Sequence, residues 1–307
     1  MKKRFLLLMT VLAIVLTACS GAGGGKGPIT IGSKIDTEGA LLSQMMILML
    51  RANGFEVIDK SSFGPTSVVK KALETGELDM YPEYTGNGAF FFDETESDVW
   101  NDAQKGYARV KQLDLEKNNI VWLKPAPANN TWAIAVPKTL ADKENLKTLD
   151  DFAAYVNRGG YVKLIGSEEF VTSPVALPRF QQVYGFTLKQ NQLLTVSSGD
   201  TAQTEKAAYE GTDGVNAAMA YGTDGGLSAF GLVVLEDPKG AQPVYEPAPR
   251  VRGEIMEKYP EIAGILDPVF QSLSLETLQT LNAKIAVEGR NAADVAQEYL
   301  TSKGFLK

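Results

Sequence analysis

Histidine is absent from the 307 residues, and cysteine occurs once. These absences exclude a Ser-His-Asp triad, an imidazole general base, a His-rich zinc site and a disulfide framework. Carboxylate, lysine or tyrosine chemistry stays open. Compositional bias is also absent. Hydrophobic residues make up 44% and charged residues 22%, near globular averages, which argues against disordered and fibrous classes. Basic excess is missing as well. Thirty Lys and Arg against 37 Asp and Glu give a balance of −7, which argues against nucleic acid as a partner. The length suits two domains of ordinary size.

No apolar run is long enough for a confident membrane span. Residues 5–18 form an almost unbroken apolar stretch of 14 residues, where a span needs about 20. The stretch follows Lys2, Lys3 and Arg4 and leads into small residues, the form of a secretory signal. Leu16-Thr17-Ala18-Cys19 resembles a bacterial lipobox, in which the cysteine thiol receives a diacylglycerol and becomes the first residue. That resemblance implies a leader over 1–18, lipidation of Cys19, and a chain exported and held at a membrane by lipid. An unmodified buried cysteine is the alternative. Residues 20–27 are Gly, Ser and Ala with one Lys and one further Gly end, so 19–27 reads as a flexible tether. The leader carries three of the 30 basic residues, so the remainder is more acidic than the whole. Two acyl chains suffice as an anchor, since each buried CH₂ contributes about 0.8 kcal/mol.

Beyond the tether, short apolar runs alternate with amphipathic segments, the pattern of an α/β architecture with mainly parallel sheets. Strands are expected at 29–31, 55–58, 78–81, 120–123, 132–136, 162–165 and 215–219. Helices are expected from about 37, at 96–118, 149–156, 175–184 and 201–209, and in four closing segments between 252 and 303. The Pro-rich stretch 125–130 suggests a first crossing between domains. The turn-rich Tyr221-Gly222-Thr223-Asp224-Gly225-Gly226 suggests a second. The expected organisation is a first lobe from 28–130, a second from 131–224, and a return to the first lobe over 225–307. Ligands of such sheets bind beyond the carboxyl ends of the strands.

Four aromatic residues fall at expected strand ends or loops rather than on helical stripes: Tyr84, Trp132, Tyr221 and Tyr245. A quaternary ammonium has no N–H to donate, so ring faces suit it, at about 0.5–2 kcal/mol each. Taken singly, each ring reads more readily as a packed loop residue. Asp79, Glu83 and Asp224 are carboxylates near the same ends. A glycosidase pair is conceivable there, and solvated or capping roles are the simpler reading.

Four ordered blocks carry a family resemblance over nearly the whole chain after the leader. They are Ile31-Gly32-Ser33-Lys34-Ile35-Asp36-Thr37-Glu38-Gly39, the stretch from Gly76 to Phe92 around Glu83-Tyr84-Thr85-Gly86-Asn87, Pro125-Ala126-Pro127-Ala128-Asn129-Asn130-Thr131-Trp132, and Gly214 to Gly225. The chain resembles the substrate-binding proteins of ABC transporters for glycine betaine, choline and related osmoprotectants. The resemblance implies a type II periplasmic binding protein fold, with two α/β lobes, a ligand cleft and two crossovers. It implies an aromatic box from Tyr84, Trp132, Tyr221 and Tyr245, with Asn130 in the same element as Trp132. It also implies that Lys34 and Asn87 meet the ligand's anionic end.

One departure stands out. Relatives commonly place an arginine in the second lobe where this chain has Ser173. A hydroxyl cannot supply the bidentate charged clamp of a guanidinium. Weaker glycine betaine binding is expected, unless Arg179 reaches in. Choline, carnitine, a polyol or an amino-acid derivative is the alternative ligand, and a sensor subunit the alternative role. An enzyme on the same scaffold, porphobilinogen deaminase, needs a cysteine in the body of the chain, and here there is none. The implied protein is a monomer without cofactor or metal, working with a permease and its ATPase. It would lie in the periplasm or on the outer face of the cytoplasmic membrane.

Overall fold

The computed structural model describes residues 26–95, 97–197 and 201–307. The leader, Cys19 and residues 20–25 of the expected tether lie outside the described residues, and its last two residues, Lys26 and Gly27, belong instead to the first strand, where Lys26 pairs with Phe55. Ten strands form two sheets. β1 (Lys26–Lys34), β2 (Phe55–Gly64), β3 (Met80–Tyr84), β4 (Ile120–Trp122) and β10 (Pro247–Arg252) make the first, in the order β2-β1-β3-β10-β4. β5 (Trp132–Pro137), β6 (Leu164–Ser167), β7 (Leu193–Val196), β8 (Ala217–Tyr221) and β9 (Leu232–Val234) make the second, in the order β7-β6-β8-β5-β9. Each sheet has its own core, so the chain has two α/β lobes.

The first lobe grows from β1. Ile29 and Ile31 alternate inward and are buried under the helix Thr37–Ala52. Asp36 caps that helix by accepting from the Gly39 N–H at 2.7 Å, which satisfies one of the free N–H groups of the first turn. The stripe Leu41, Leu42, Met45, Met49 and Leu50 packs into one core with Ile262, Leu266, Phe270, Leu278 and Leu300 of the closing helices. The second lobe is built around Phe152, Leu164, Phe170, Phe180 and Met219.

Three expectations are corrected. The sheets are mixed rather than mainly parallel. β10 runs antiparallel to β3 and β4, and β5 runs antiparallel to β8 and β9. The expected helix 96–118 is a short turn, Asp98–Asn101, followed by a helix, Ala103–Asn118, because the Asp102 side chain accepts from Lys105 N–H and starts a new helix there. The second crossing does not fall at 221–226. β9 pairs with β5 in the second sheet and Leu235 and Ala241 belong to the second core, so the second lobe extends beyond residue 224. The chain returns only through Gln242 to Glu246, ahead of β10. Gly225 and Gly226 serve packing instead. A Cβ on Gly225 would stand 2.5 Å from the Ala283 nitrogen of the helix Leu275–Ala286, so glycine permits that helix contact.

The two crossings run side by side. Asn130 N–H donates to the Tyr245 carbonyl at 2.9 Å, and Ala126 N–H to the Pro247 carbonyl at 2.8 Å. Among the described residues no helix is long and apolar enough to cross a membrane.

Candidate functional site

The strand ends beside these crossings hold the residues singled out from sequence. β1 ends on Lys34 and β3 on Tyr84. Trp132 opens β5 and pairs in register with Tyr221 at the end of β8. Tyr245 lies just ahead of β10.

On the first lobe, Glu83 organises the group. It is fully buried and accepts from four donors: Lys34 Nζ at 2.5 Å, Asn87 Nδ2 at 2.7 Å, Tyr81 Oη at 2.8 Å and the Tyr84 N–H at 2.8 Å. A buried carboxylate needs such a complete set of partners. The glycosidase reading of Glu83 loses its basis, because the carboxylate is occupied by structural donors. Lys34 is buried too, with its ammonium 4.3 Å from the centre of the Tyr84 ring. The Tyr84 ring thus offers its face to a cation within the chain, the Lys34 ammonium.

The Tyr84 hydroxyl donates to Glu38 Oε1 at 2.7 Å. Burial comes first in raising the Tyr84 phenol well above its ordinary range, and the Glu38 carboxylate adds to it. Gly86 matters for the neighbouring ring. A Cβ there would meet the Tyr245 ring at 2.8 Å, so glycine lets that ring lie against the turn after β3. Burial, then Tyr221 and Glu83, lift the Tyr245 phenol to about 12. Tyr245 thus lies beside the turn that follows Tyr84.

On the second lobe, the Trp132 and Tyr221 rings stack with centres 6.4 Å apart and planes 23° apart. Phe170 braces Trp132 edge-on at 6.1 Å. Burial raises the Tyr221 phenol, a hydrogen bond from Trp132 lowers it, and Asp224 and Glu169 raise it further. Asp224 accepts from the Tyr221 N–H at 2.6 Å, and Asp79 accepts from the Thr30 N–H at 2.8 Å. Asp224 has the local capping role expected of it, whereas Asp79 ties β1 to the start of β3 and faces Arg252 at 3.5 Å. Ser173 ends the short helix Glu168–Thr172. Arg179 lies on the helix Leu177–Tyr184 and has an exposed contact with Gln182 at 3.5 Å.

Sequence reasoning missed Glu38. In the sequence it stands only within the block Ile31–Gly39, and a glutamate in a first helical turn is commonly solvated and favoured by the helix dipole. Here it is almost wholly buried, and it accepts from Asn282 Nδ2 at 2.7 Å and from Tyr84, with Asn130 Nδ2 at 3.4 Å and the Thr223 side chain beside it. Burial pushes its pKa from 4.5 to about 7, while the bonds from Thr223, Tyr84 and Asn282 hold it down and Asp36 adds a smaller rise.

The folded chain thus holds this proton more tightly than the unfolded chain. Its contribution to stability is present at acid pH and is lost as pH rises from 4.5 to about 7, amounting to about 3 kcal/mol. Urea unfolding across that range should show the decline in the wild type and a flatter profile in Glu38→Gln. Equal slopes in the two proteins would refute the assignment.

Comparison with known proteins follows the same lines. The model of a family described as the substrate binding domain of ABC-type glycine betaine transport systems matches residues 27–302. The chain is 52% identical over 294 residues to the glycine betaine-binding protein YehZ of Escherichia coli K12, covering 96% of each chain. It is 32% identical over 299 residues to a glycine-betaine-binding protein of Pseudomonas aeruginosa, covering 94% of this chain and 93% of that one. The solved structure of apo YehZ from Escherichia coli superimposes with a TM-score of 0.88 at 53% identity, over 91% of this chain and 99% of that one.

Proposed function

Because the chain belongs to the family of substrate-binding domains of ABC-type glycine betaine transport systems, we propose that it captures a quaternary-amine osmoprotectant in the cleft between its lobes and delivers it to a permease with its ATPase. Glycine betaine or a related zwitterion is the proposed ligand, held by an aromatic cage. The observation that carries this reading is the placement of Tyr84, Trp132 and Tyr221 at strand ends and of Tyr245 just ahead of β10, with Trp132 stacked on Tyr221 and Tyr245 lying against the Gly86 turn that follows Tyr84. Rings from both lobes can complete a cage only when the lobes close on a ligand, so binding and closure are one event.

Lys34 and Asn87 are the proposed partners of the anionic end. Both already meet Glu83, which fixes their heads beside one carboxylate and leaves the ammonium with further protons to donate. Asn130 completes the proposed site at the first crossing. Cys19 is the proposed lipid attachment, with the leader removed, which would hold a monomeric binding protein in the periplasm or at the outer face of the cytoplasmic membrane. No catalytic step is proposed. The direct test is calorimetry with glycine betaine, proline betaine, carnitine, choline, ectoine, polyols and amino acids. Binding of none of the quaternary amines would overturn the reading.

Ser173 gives a sharper prediction. Ser173→Arg is expected to tighten glycine betaine binding about tenfold or more, as a charged hydrogen bond contributes about 1.5–3 kcal/mol. Choline, which lacks the carboxylate, should gain nothing. A gain for both ligands alike would show that the residue does not face the anionic end.

A further inference from the structure

Glu38 belongs to four neighbourhoods at once. Tyr84 reaches it from β3, Asn282 from the helix Leu275–Ala286, Asn130 from the first crossing and Thr223 from the loop after β8. Three of these lie on the first lobe or at the crossing, and Thr223 lies on the second. Asn282 Nδ2 also donates to the Thr223 carbonyl at 2.9 Å, so the loop is held by side chain and backbone together. Gln279 of the same helix donates to the neighbouring Gly222 carbonyl at 2.8 Å. The carboxyl thus stands where a proposed cage ring, a crossing and the second lobe meet.

We propose that Glu38 is a positioning residue that fixes the Tyr84 ring and couples it to the angle between the lobes. This rests on the reading of Tyr84 as a ligand-facing ring. An ionised Glu38 accepts from all its neighbours and draws the Thr223 loop and the Tyr84 hydroxyl onto one point. It also places negative charge behind the phenol, which strengthens the ring's attraction for a cation. A protonated Glu38 must itself donate, and it gives up one of those bonds. Buried acceptors exist for that proton, since Asn130 Oδ1 and Asn282 Oδ1 have no hydrogen-bond partner among the described residues. Rotation of the Asn130 amide would turn its oxygen toward the carboxyl.

The groups facing Glu38 from the packed elements are neutral: Tyr84, Asn282, Thr223 and Asn130. Asp36, on its own helix, is the charged neighbour that adds to its proton affinity. The switch between the two forms therefore falls near pH 7.

The experiment uses two readouts at pH values of about 5.5 and 8.5, on either side of that midpoint. The first is the ligand-free distance between spin labels on the helices Ala103–Asn118 and Leu177–Tyr184. The wild type is expected to shift toward shorter distances at the higher pH, and both Glu38→Gln and Thr223→Val to lose that response. The second is glycine betaine affinity by calorimetry. Binding is expected to be about tenfold tighter at the higher pH in the wild type and nearly unchanged in Glu38→Gln. A Glu38→Gln protein that keeps both responses, or a wild type that shows neither, overturns the proposal. If Glu38→Gln does not fold, Thr223→Val carries the distance test alone. If glycine betaine and choline fail to bind at either pH while the labels respond through Glu38, the ligand reading falls and the coupling stands.

Discussion

Replacing Tyr84 and Trp132 together by alanine is expected to weaken glycine betaine binding about 5- to 1000-fold, since two cation–π contacts contribute about 1–4 kcal/mol together. The two rings sit on opposite lobes, at the end of β3 and the start of β5. Their loss therefore opens both walls of the proposed cage. Calorimetry should show the loss with the fold intact, which the far-ultraviolet dichroism of the variant can check. Tyr84→Phe should be milder, because it keeps the ring face and sacrifices only the hydroxyl bond to Glu38. Retained affinity in the double alanine variant would refute the cage.

The second large effect concerns stability. Arg250 on β10 is wholly buried, with Nε 2.6 Å from Asp114 Oδ2 and Nη2 2.9 Å from Asp114 Oδ1. Trp122 Nε1 donates to the same Oδ2 at 2.6 Å, and Arg250 Nη1 donates to Tyr81 Oη at 3.0 Å. Tyr81 in turn donates to Glu83, so one chain of contacts runs from the interior of the first lobe to Lys34. Arg250→Met would leave Asp114 buried without its counter-charge, which costs about 3–5 kcal/mol. For a chain of this size the thermal midpoint should fall by roughly 10 °C. Removing both charges, as Arg250→Met with Asp114→Leu, should recover much of the loss, because the unpaired charge rather than the missing attraction is the main penalty. A double variant no better than the single one would contradict this account.

Much of the fold was legible because period and punctuation agreed. The stripe from Leu41 to Leu50 follows a cap at Asp36, as its spacing requires, and burial extends beyond it to Ser43, Met46 and Ile47, because the sheet and the closing helices cover this helix on more than one side. The four closing helices were also visible in the pattern of residues 252–303. What misled was the run from Tyr221 to Gly226. Its glycines look like a hinge, yet each permits a close packing contact, Gly222 with the Asn129 carbonyl, Gly226 with Glu205, and Gly225 with the helix Leu275–Ala286, a requirement set by a residue some 60 positions away. β10 was hidden for a related reason. Pro247-Ala248-Pro249 does not read as a strand, since proline lacks an N–H for the ladder, and only the neighbours β3 and β4 make it one. Within the site, the aromatic positions could be picked out because they fell at strand ends. Glu83 could be picked out by position but not in its buried role, and Glu38 not at all, because burial of a carboxylate depends on donors from distant segments such as Lys34 and Asn282.

The place of β10 also sets an order of assembly. The second lobe is continuous in sequence, and all five of its strands are available once residue 234 has been made. In the first lobe β4 touches the rest of the sheet only through β10. Residues 120–122 must wait for residues 250–252, while an entire lobe is synthesised between them. Long-range pairing of this kind is slow to form and leaves a strand edge open meanwhile. The middle of the chain can therefore mature first, and the lobe that carries both ends is sealed last, when Arg250 closes over Asp114.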